Sequence, residues 1–386
     1  MTARSLSSPI AEPLADKSAM ARLLEIPAFA YSPESERLFL EALRESAAIH
    51  CRRSPHFGGL WKNAGFTPED LRGAGDIARM PFIFVSAFKE RELSSITKKE
   101  LALELTSSGT SGQKSRMLLD EGSLLRVRRM AWQVFAALGI ADRTVAADYL
   151  CFTYDPKAAK NLGTAFTDEL LTGLTKTGET FYALRWSREK NSFYFDMDGA
   201  LSALERFEKR GRQARLVGFP AHALALCEAF KKSRGRCARL NPSSWVLTGG
   251  GWKDQQDRAL DKGKMRRLLA GRLGLKTERV RDMFGMVEHG VPYMDCPLGK
   301  FHVPVYGKII VRHPAALEPL PYGETGLLQF ITPYLSSYPS ISLLSGDFGW
   351  LEEKCSCGLA GPVLHIAGRG GVKKLKGCAI SASTLL

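Results

Sequence analysis

The sequence predicts an α/β fold of layered sheets that gives way to a β-rich section toward its C-terminal end, and three observations carry that reading. Strand-like runs at 146–152, 214–218 and 245–248 alternate with amphipathic stretches. The last two run into Gly or Pro before a helix-like segment, the pattern of strand–loop–helix units in an α/β sheet. Apolar residues recur at helical spacing over 34–52, 121–138 and 199–210. From Gly307 onward the pattern changes to strand-like runs separated by turns, at 308–311, 326–331, 340–344 and 363–366.

With 386 residues and 45% hydrophobic content, the chain has ample core for one large or two intimate domains. Its first fifteen or so residues mix Ser, Pro and Ala with scattered charges and lack the apolar core of a secretory signal. The expected organisation is a loose lead-in over 1–20, a main domain over 21–368 whose β-rich section begins at about 291, and a short tail over 369–386. No apolar run is long enough to span a membrane, and eight cysteines are too few for a disulfide scaffold of this length, so a cytoplasmic protein is expected.

The formal charge of +14 draws anions, with positive residues in runs at 231–236 and at Arg266–Arg267. No zinc-finger, RRM-like or basic-zipper pattern accompanies the charge. A solvated basic face that favours nucleotides, coenzymes or an acidic protein explains it, and nucleic acid is not an expected partner.

Five segments carry chemistry. The first, Ser107–Ser108–Gly109–Thr110–Ser111–Gly112–Gln113–Lys114–Ser115, follows the strand-like run 101–105. Small residues let backbone approach a polyphosphate, hydroxyls and N–H groups donate to its oxygens, and a lysine neutralises charge. Its GxxGxK spacing is not that of a Walker A loop, and a Ser/Gly-rich surface loop has the same composition. The second, Thr248–Gly249–Gly250–Gly251–Trp252–Lys253, ends a buried-strand pattern in three glycines, which permit a flat ring to pack on backbone. Trp252 serves as core or as pocket wall. The third, Asp282–Met283–Phe284–Gly285–Met286–Val287–Glu288–His289–Gly290, offers an aromatic ring to a base and a carboxylate to Mg²⁺, with His289 either catalytic or structural. The fourth, Ser345–Gly346–Asp347–Phe348–Gly349, reads as an Asp in a glycine turn that binds ribose hydroxyls or caps the turn. The fifth, Gly368–Arg369–Gly370–Gly371, sets a guanidinium beside a flexible joint.

In order and content these segments resemble the adenylate-forming superfamily of acyl- and aryl-CoA ligases. Within it, Pro81–Phe82–Ile83–Phe84–Val85 with Phe88–Lys89, the phosphate-loop form and Phe284–Gly285–Met286–Val287–Glu288 look like the LuxE-type acyl-protein synthetases and the related phenylacetate–CoA ligases. The likeness runs from about Pro81 to Cys378. It implies the N-terminal domain of an adenylate-forming enzyme, and an ATP- and Mg²⁺-dependent ligase that makes acyl-AMP from a fatty or aryl acid and passes the acyl group to a thiol.

By resemblance, Ser108, Gly109, Thr110, Ser111, Gly112 and Lys114 hold the outer phosphates. Gly249, Gly250, Phe284 and Gly285 frame adenine with Asp282 near its amino group, Glu288 holds Mg²⁺, and Asp347 takes the ribose with Arg369 nearby. Val287 replaces the hydroxyl residue usual in the superfamily, which removes one phosphate contact. Too few residues follow Arg369 for the full mobile C-terminal domain and its catalytic lysine, so another cation is expected to serve, among Lys114, Lys253, Lys373, Lys374 and Lys376.

The tail resembles the LuxE segment that carries the acyl-accepting cysteine, here Cys378. Lys373, Lys374 and Lys376 favour its thiolate, and the stretch from Arg369, at ~3.3 Å per extended residue, lets the sulfur range over about 30 Å. An incidental thiol is the other reading. Cys355 and Cys357 form a tight pair which, with Cys296 and His302, makes a tetrahedral Cys₃His zinc set or else a group of buried thiols. Cys51, Cys151, Cys227 and Cys237 read as core.

Two further readings stand beside the relay through Cys378 to a partner such as a reductase. One is direct transfer to CoA or a carrier protein. The other, of a different class, is a non-catalytic nucleotide-binding protein. Phenylalanines near 152, 166 and 181 suggest either an apolar acid pocket or plain aromatic core.

Overall fold

The computed structural model describes residues 14–106, 116–154, 163–189, 191–252 and 259–370. Three helices open it: α1 (Ala19–Glu25), α2 (Pro33–Arg53) and α3 (Pro55–Asn63). α2 starts where expected because Ser32 caps the Ser35 N–H and Pro33 occupies the first turn, and it stops before Pro55. A short strand β1 (Ile83–Phe84) and turn α4 (Ala87–Glu90) lead to the antiparallel pair β2 (Leu103–Thr106) and β3 (Arg116–Leu119). Asp120 then caps α5 (Glu121–Ala137).

The central sheet is built from β4 (Asp142–Tyr154), α6 (Gly163–Thr172), β5 (Thr175–Ser187), β6 (Ser192–Phe195), α7 (Met197–Arg210), β7 (Gln213–Gly218), α8 (Pro220–Arg234), β8 (Trp245–Gly249), α9 (Lys262–Leu273), β9 (Val280–Phe284) and β10 (Tyr293–Met294). Its strand order is β10-β9-β8-β7-β4-β5-β6, parallel from β9 to β5 and antiparallel at both edges. The strands alternate between two cores. Phe152, Leu216 and Val246 face α7, α8 and α9, while Cys151, Val217 and Leu247 face the core that includes α5. Strand order reverses between β4 and β7, so a crevice opens beyond their carboxyl ends.

The second sheet comprises β11 (Phe301–His302), β12 (Lys308–Arg312), β13 (Gly326–Ile331), β14 (Ser342–Glu352) and β15 (Val363–Arg369), in the order β11-β15-β14-β13-β12 with β1 beside β14. It packs on the end of the first through Phe330, whose ring lies 5.8 Å from that of Phe284 at 29°.

Three expectations change. The Ser345–Gly349 segment is not a turn; it lies inside the strand β14, where β15 pairs with Asp347 to Gly349, β13 pairs with Phe348 and Gly349 beyond a break in register, and the Gly370 N–H donates to the Gly346 carbonyl. Arg369 likewise ends a strand, in register with Asp347. Arg266 belongs to no solvated basic face: it is buried and donates to the carbonyls of Val280 and Pro297 at 2.8 Å each. No described helix is long and apolar enough to cross a membrane.

Candidate active site

A cavity of about 260 Å³ lies beyond the carboxyl ends of β4, β7, β8 and β9. Thr153 and Met283 reach it because alternation turns them to the α5 side, Gly218 and Thr248 border it where their strands end, and α5 and α6 form its far wall. Its lining is mostly apolar, from Leu105 and Met117 to Phe166 and Leu170. Phe152 lies instead in the opposite core. The Thr153 hydroxyl is buried with no partner among the described residues.

Gly249 and Gly250 face this cavity. Gly250 and Gly251 turn the chain at φ of 75° and 69°, a left-handed bend that side chains resist. On the neighbouring strand, Asp282 accepts from the Thr248 hydroxyl at 2.9 Å, with Lys262 Nζ 3.6 Å away. Packing around its carboxyl raises its pKa, opposed by that ammonium, although 24% of the side chain stays open. Phe284 points to the other strand face, half-buried beside Phe330, and does not line the cavity, whereas Gly285 does.

The chain then tightens, with the N–H groups of His289 and Gly290 both donating to the Met286 carbonyl, and this turn presents Glu288. Glu288 is 6% exposed, and no cation stands within ion-pair distance of it among the described residues. His289 is structural: it lies flat on Tyr293, its Nε2 2.7 Å from that hydroxyl, and burial lowers its pKa to about 3.

On the second sheet Arg369 Nε donates to Asp347 Oδ1 at 3.1 Å. β13 links this pair to the first group, since Phe330 stacks on Phe284 and faces Leu343 of β14 in register.

Ser108, Gly109, Thr110, Ser111, Gly112, Lys114, Lys253 and the tail with Lys373, Lys374, Lys376 and Cys378 lie outside the described residues. The stems of the phosphate segment do bear on the site, because Leu105 and Met117, just before and after it, line the cavity. Sequence reasoning missed Lys262, Thr153 and the α5 wall. Strand alternation from 151 would have found Thr153, but nothing local marks Lys262.

A separate cluster gathers Cys296, His302, Cys355 and Cys357, their ligand atoms all within 4.8 Å of one another. Cys296 sits in a tight turn after β10, His302 on β11, and the other two in the loop joining β14 to β15. The Cys296 and Cys355 sulfurs are 3.9 Å apart, and Cys357 Sγ lies 3.3 Å from His302 Nε2. Cys151 and Cys227 are buried, and Cys51 and Cys237 are half-buried.

Residues 28–386 match the family model described as acyl-protein synthetase, LuxE. The chain belongs to this family. Among LuxE relatives, a long-chain-fatty-acid–luciferin-component ligase of Vibrio harveyi is 26% identical over 311 residues, covering 80% of this chain and 78% of that protein. A phenylacetate-coenzyme A ligase of Thermus thermophilus is 24% identical over 354 residues, covering 86% of this chain and 72% of its own. An open form of 2-hydroxyisobutyryl-CoA ligase, solved with 2-HIB-AMP and CoA, superposes with a TM-score of 0.67 at 17% identity, over 94% of this chain and 80% of that one. At that identity the likeness speaks to fold, and the fold is the adenylate-forming α/β architecture expected. The enzyme class read from the motifs, an AMP-forming ligase of acids and thiols, is that of the LuxE family.

Proposed function

We propose that this chain uses ATP to convert a fatty or aryl acid to its acyl adenylate and then transfers the acyl group to the thiol of Cys378 for delivery to a partner protein. A carboxylate oxygen of the acid attacks the α-phosphorus, the bond to the bridging oxygen breaks, and pyrophosphate leaves. The thiolate sulfur then attacks the acyl carbon, and AMP departs. One observation carries this reading: an apolar cavity and a glycine turn meet at one set of strand ends, and Glu288, a buried carboxylate without a countercharge among the described residues, sits in the turn after β9 whose neighbours Val287 and Gly290 line that cavity.

The apolar depth suits an acyl group. Gly249, Gly250 and Gly285 frame adenine across the ends of β8 and β9, and Asp282 stands near its amino group, while Phe284, turned to Phe330, leaves that frame. Asp347 receives the ribose hydroxyls, oriented by the ion pair with Arg369. Ser108, Gly109, Thr110, Ser111, Gly112 and Lys114 grip the outer phosphates, an assignment that rests on the motif. This is catalysis by positioning and charge neutralisation.

Glu288 fits a magnesium site, since a buried carboxylate lacking a protein cation needs a positive charge beside it. Magnesium, when bound, neutralises phosphate charge. Cys296, His302, Cys355 and Cys357 fit zinc: with ~2.3 Å Zn–S and ~2.0 Å Zn–N bonds, tetrahedral ligands stand about 3.8 Å and 3.5 Å apart, close to the separations of 3.9 Å and 3.3 Å here. Four protein ligands leave no open position, so the role is structural.

Acid-dependent ATP–pyrophosphate exchange tests the first step, and its absence across fatty and aryl acids would favour a nucleotide-binding protein without turnover. A hydroxylamine-sensitive acyl label lost in Cys378→Ser tests the second. Label that survives the substitution removes the relay, and acyl-CoA formed in the presence of CoA would assign transfer to CoA instead.

A further inference from the structure

The depth of the cavity carries an inference that rests on the acid-activating reading above. α5 runs antiparallel to β4. Its first turns are held at the strand-end side, where Arg126 Nε donates to the Tyr334 carbonyl at 2.7 Å, and Tyr334 lines the cavity. Its last turn lies at the opposite edge, where the Ile140 N–H bonds the Phe135 carbonyl just before β4 begins. α6 descends the same face, and after it the Leu174 carbonyl accepts from the N–H of Asp142 at the start of β4.

Val127, Ala131 and Phe135 therefore line the cavity at increasing depth, one per helical turn, opposite Phe166, Leu170 and Leu171. The unpartnered Thr153 hydroxyl and Thr248 lie at the mouth, near the end of their strands, while the α5 side chains below offer only hydrocarbon. An acid thus enters with its carboxylate toward the strand ends and its chain toward Phe135.

We propose that Ala131 and Phe135 set the acyl length this chain accepts, and that the cavity takes a linear acid of about ten carbons. The volume of the cavity sets that number. A cavity of ~150 Å³ holds the six carbons of benzene, so the 260 Å³ here holds about ten. Ala131 keeps the shaft open at mid-depth and Phe135 closes its base, so a longer chain fits only where Phe135 yields.

The test measures ATP–pyrophosphate exchange with linear acids from butanoic to octadecanoic and with phenylacetic acid. In parallel, thermal shift reads binding of acyl-sulfamoyl adenosines of the same lengths. Wild type is expected to peak near decanoic acid. Ala131→Phe should lower kcat/KM for decanoic acid by about tenfold or more while sparing butanoic and hexanoic acids, and Phe135→Ala should move the optimum toward tetradecanoic acid. Leu at either position repeats the test with a smaller volume change where folding suffers.

An optimum that stays put in both variants, or a wild-type peak at tetradecanoic or phenylacetic acid, overturns the assignment. Exchange absent with every acid, while the sulfamoyl ligands still bind with a length optimum, sinks the activating reading and leaves the length rule standing. Loss of both ends both.

Discussion

Glu288 is nearly buried, with no cation in ion-pair distance among the described residues, so Glu288→Gln should remove a destabilising charge and a metal contact together. Exchange is expected to fall by about 10²–10³ with the melting temperature unchanged or raised; parallel loss of fold and activity would mark Glu288 as structural. Two residues on, Gly290 holds φ at 71°, and a Cβ there would meet Tyr334 Oη at 1.9 Å. Gly290→Ala should cost about 2 kcal/mol or more in urea unfolding, and Tyr334→Phe in the same chain should restore part of it. Burial holds His289 at about 3 and His50 at about 4, below the ordinary 6.5. Both gain protons on unfolding below about 6.5, so stability is full above that pH and falls as pH drops toward 4, by about 1.4 kcal/mol per unit for each histidine. His289→Phe should make the slope of urea stability against pH shallower between 6.5 and 4. At this scale the motifs made Glu288 legible as a ligand candidate, whereas its lack of a countercharge is a property of its neighbours.

The loops that bear Cys296, Cys355 and Cys357 with strand β11 converge because β11 and β14 both pair with β15. Metal analysis is expected to find one zinc per chain, and Cys355→Ser should empty the site and lower the melting temperature by about 5 °C or more. Unchanged stability at zero metal would return the four residues to the status of buried thiols. Elements with a strong period were legible: the patterns at 34–52 and 121–138 became α2 and α5, and 326–331 became β13. The Ser345–Gly349 segment was not, because its glycines signal a turn locally while pairing of its second half with β15 and of Phe348 and Gly349 with β13 holds it extended. Gly349 belongs in that strand for a reason no local rule supplies, since a Cβ there would meet the His365 carbonyl at 2.1 Å.

Across the whole molecule, the charge of +14 is partly consumed in pairs such as Arg210 with Asp148 and Arg236 with Glu208, and Arg266 is buried. The remaining field should favour ATP modestly, so raising salt from ~0.05 to ~0.5 M is expected to weaken apparent ATP affinity about threefold; a flat response would remove the basic surface from substrate capture. The sequence by itself determined the α/β class, the order of the nucleotide motifs and the four candidate zinc ligands, because these depend on local periodicity and on residue types whose chemistry travels with them. The tertiary structure alone decided that Phe284 lies outside the cavity, that Thr153 and Lys262 stand beside the motif residues, and that α5 walls an apolar shaft. Those facts follow from strand order and from the face each side chain takes, and contacts between residues far apart in the chain leave no periodic trace along it.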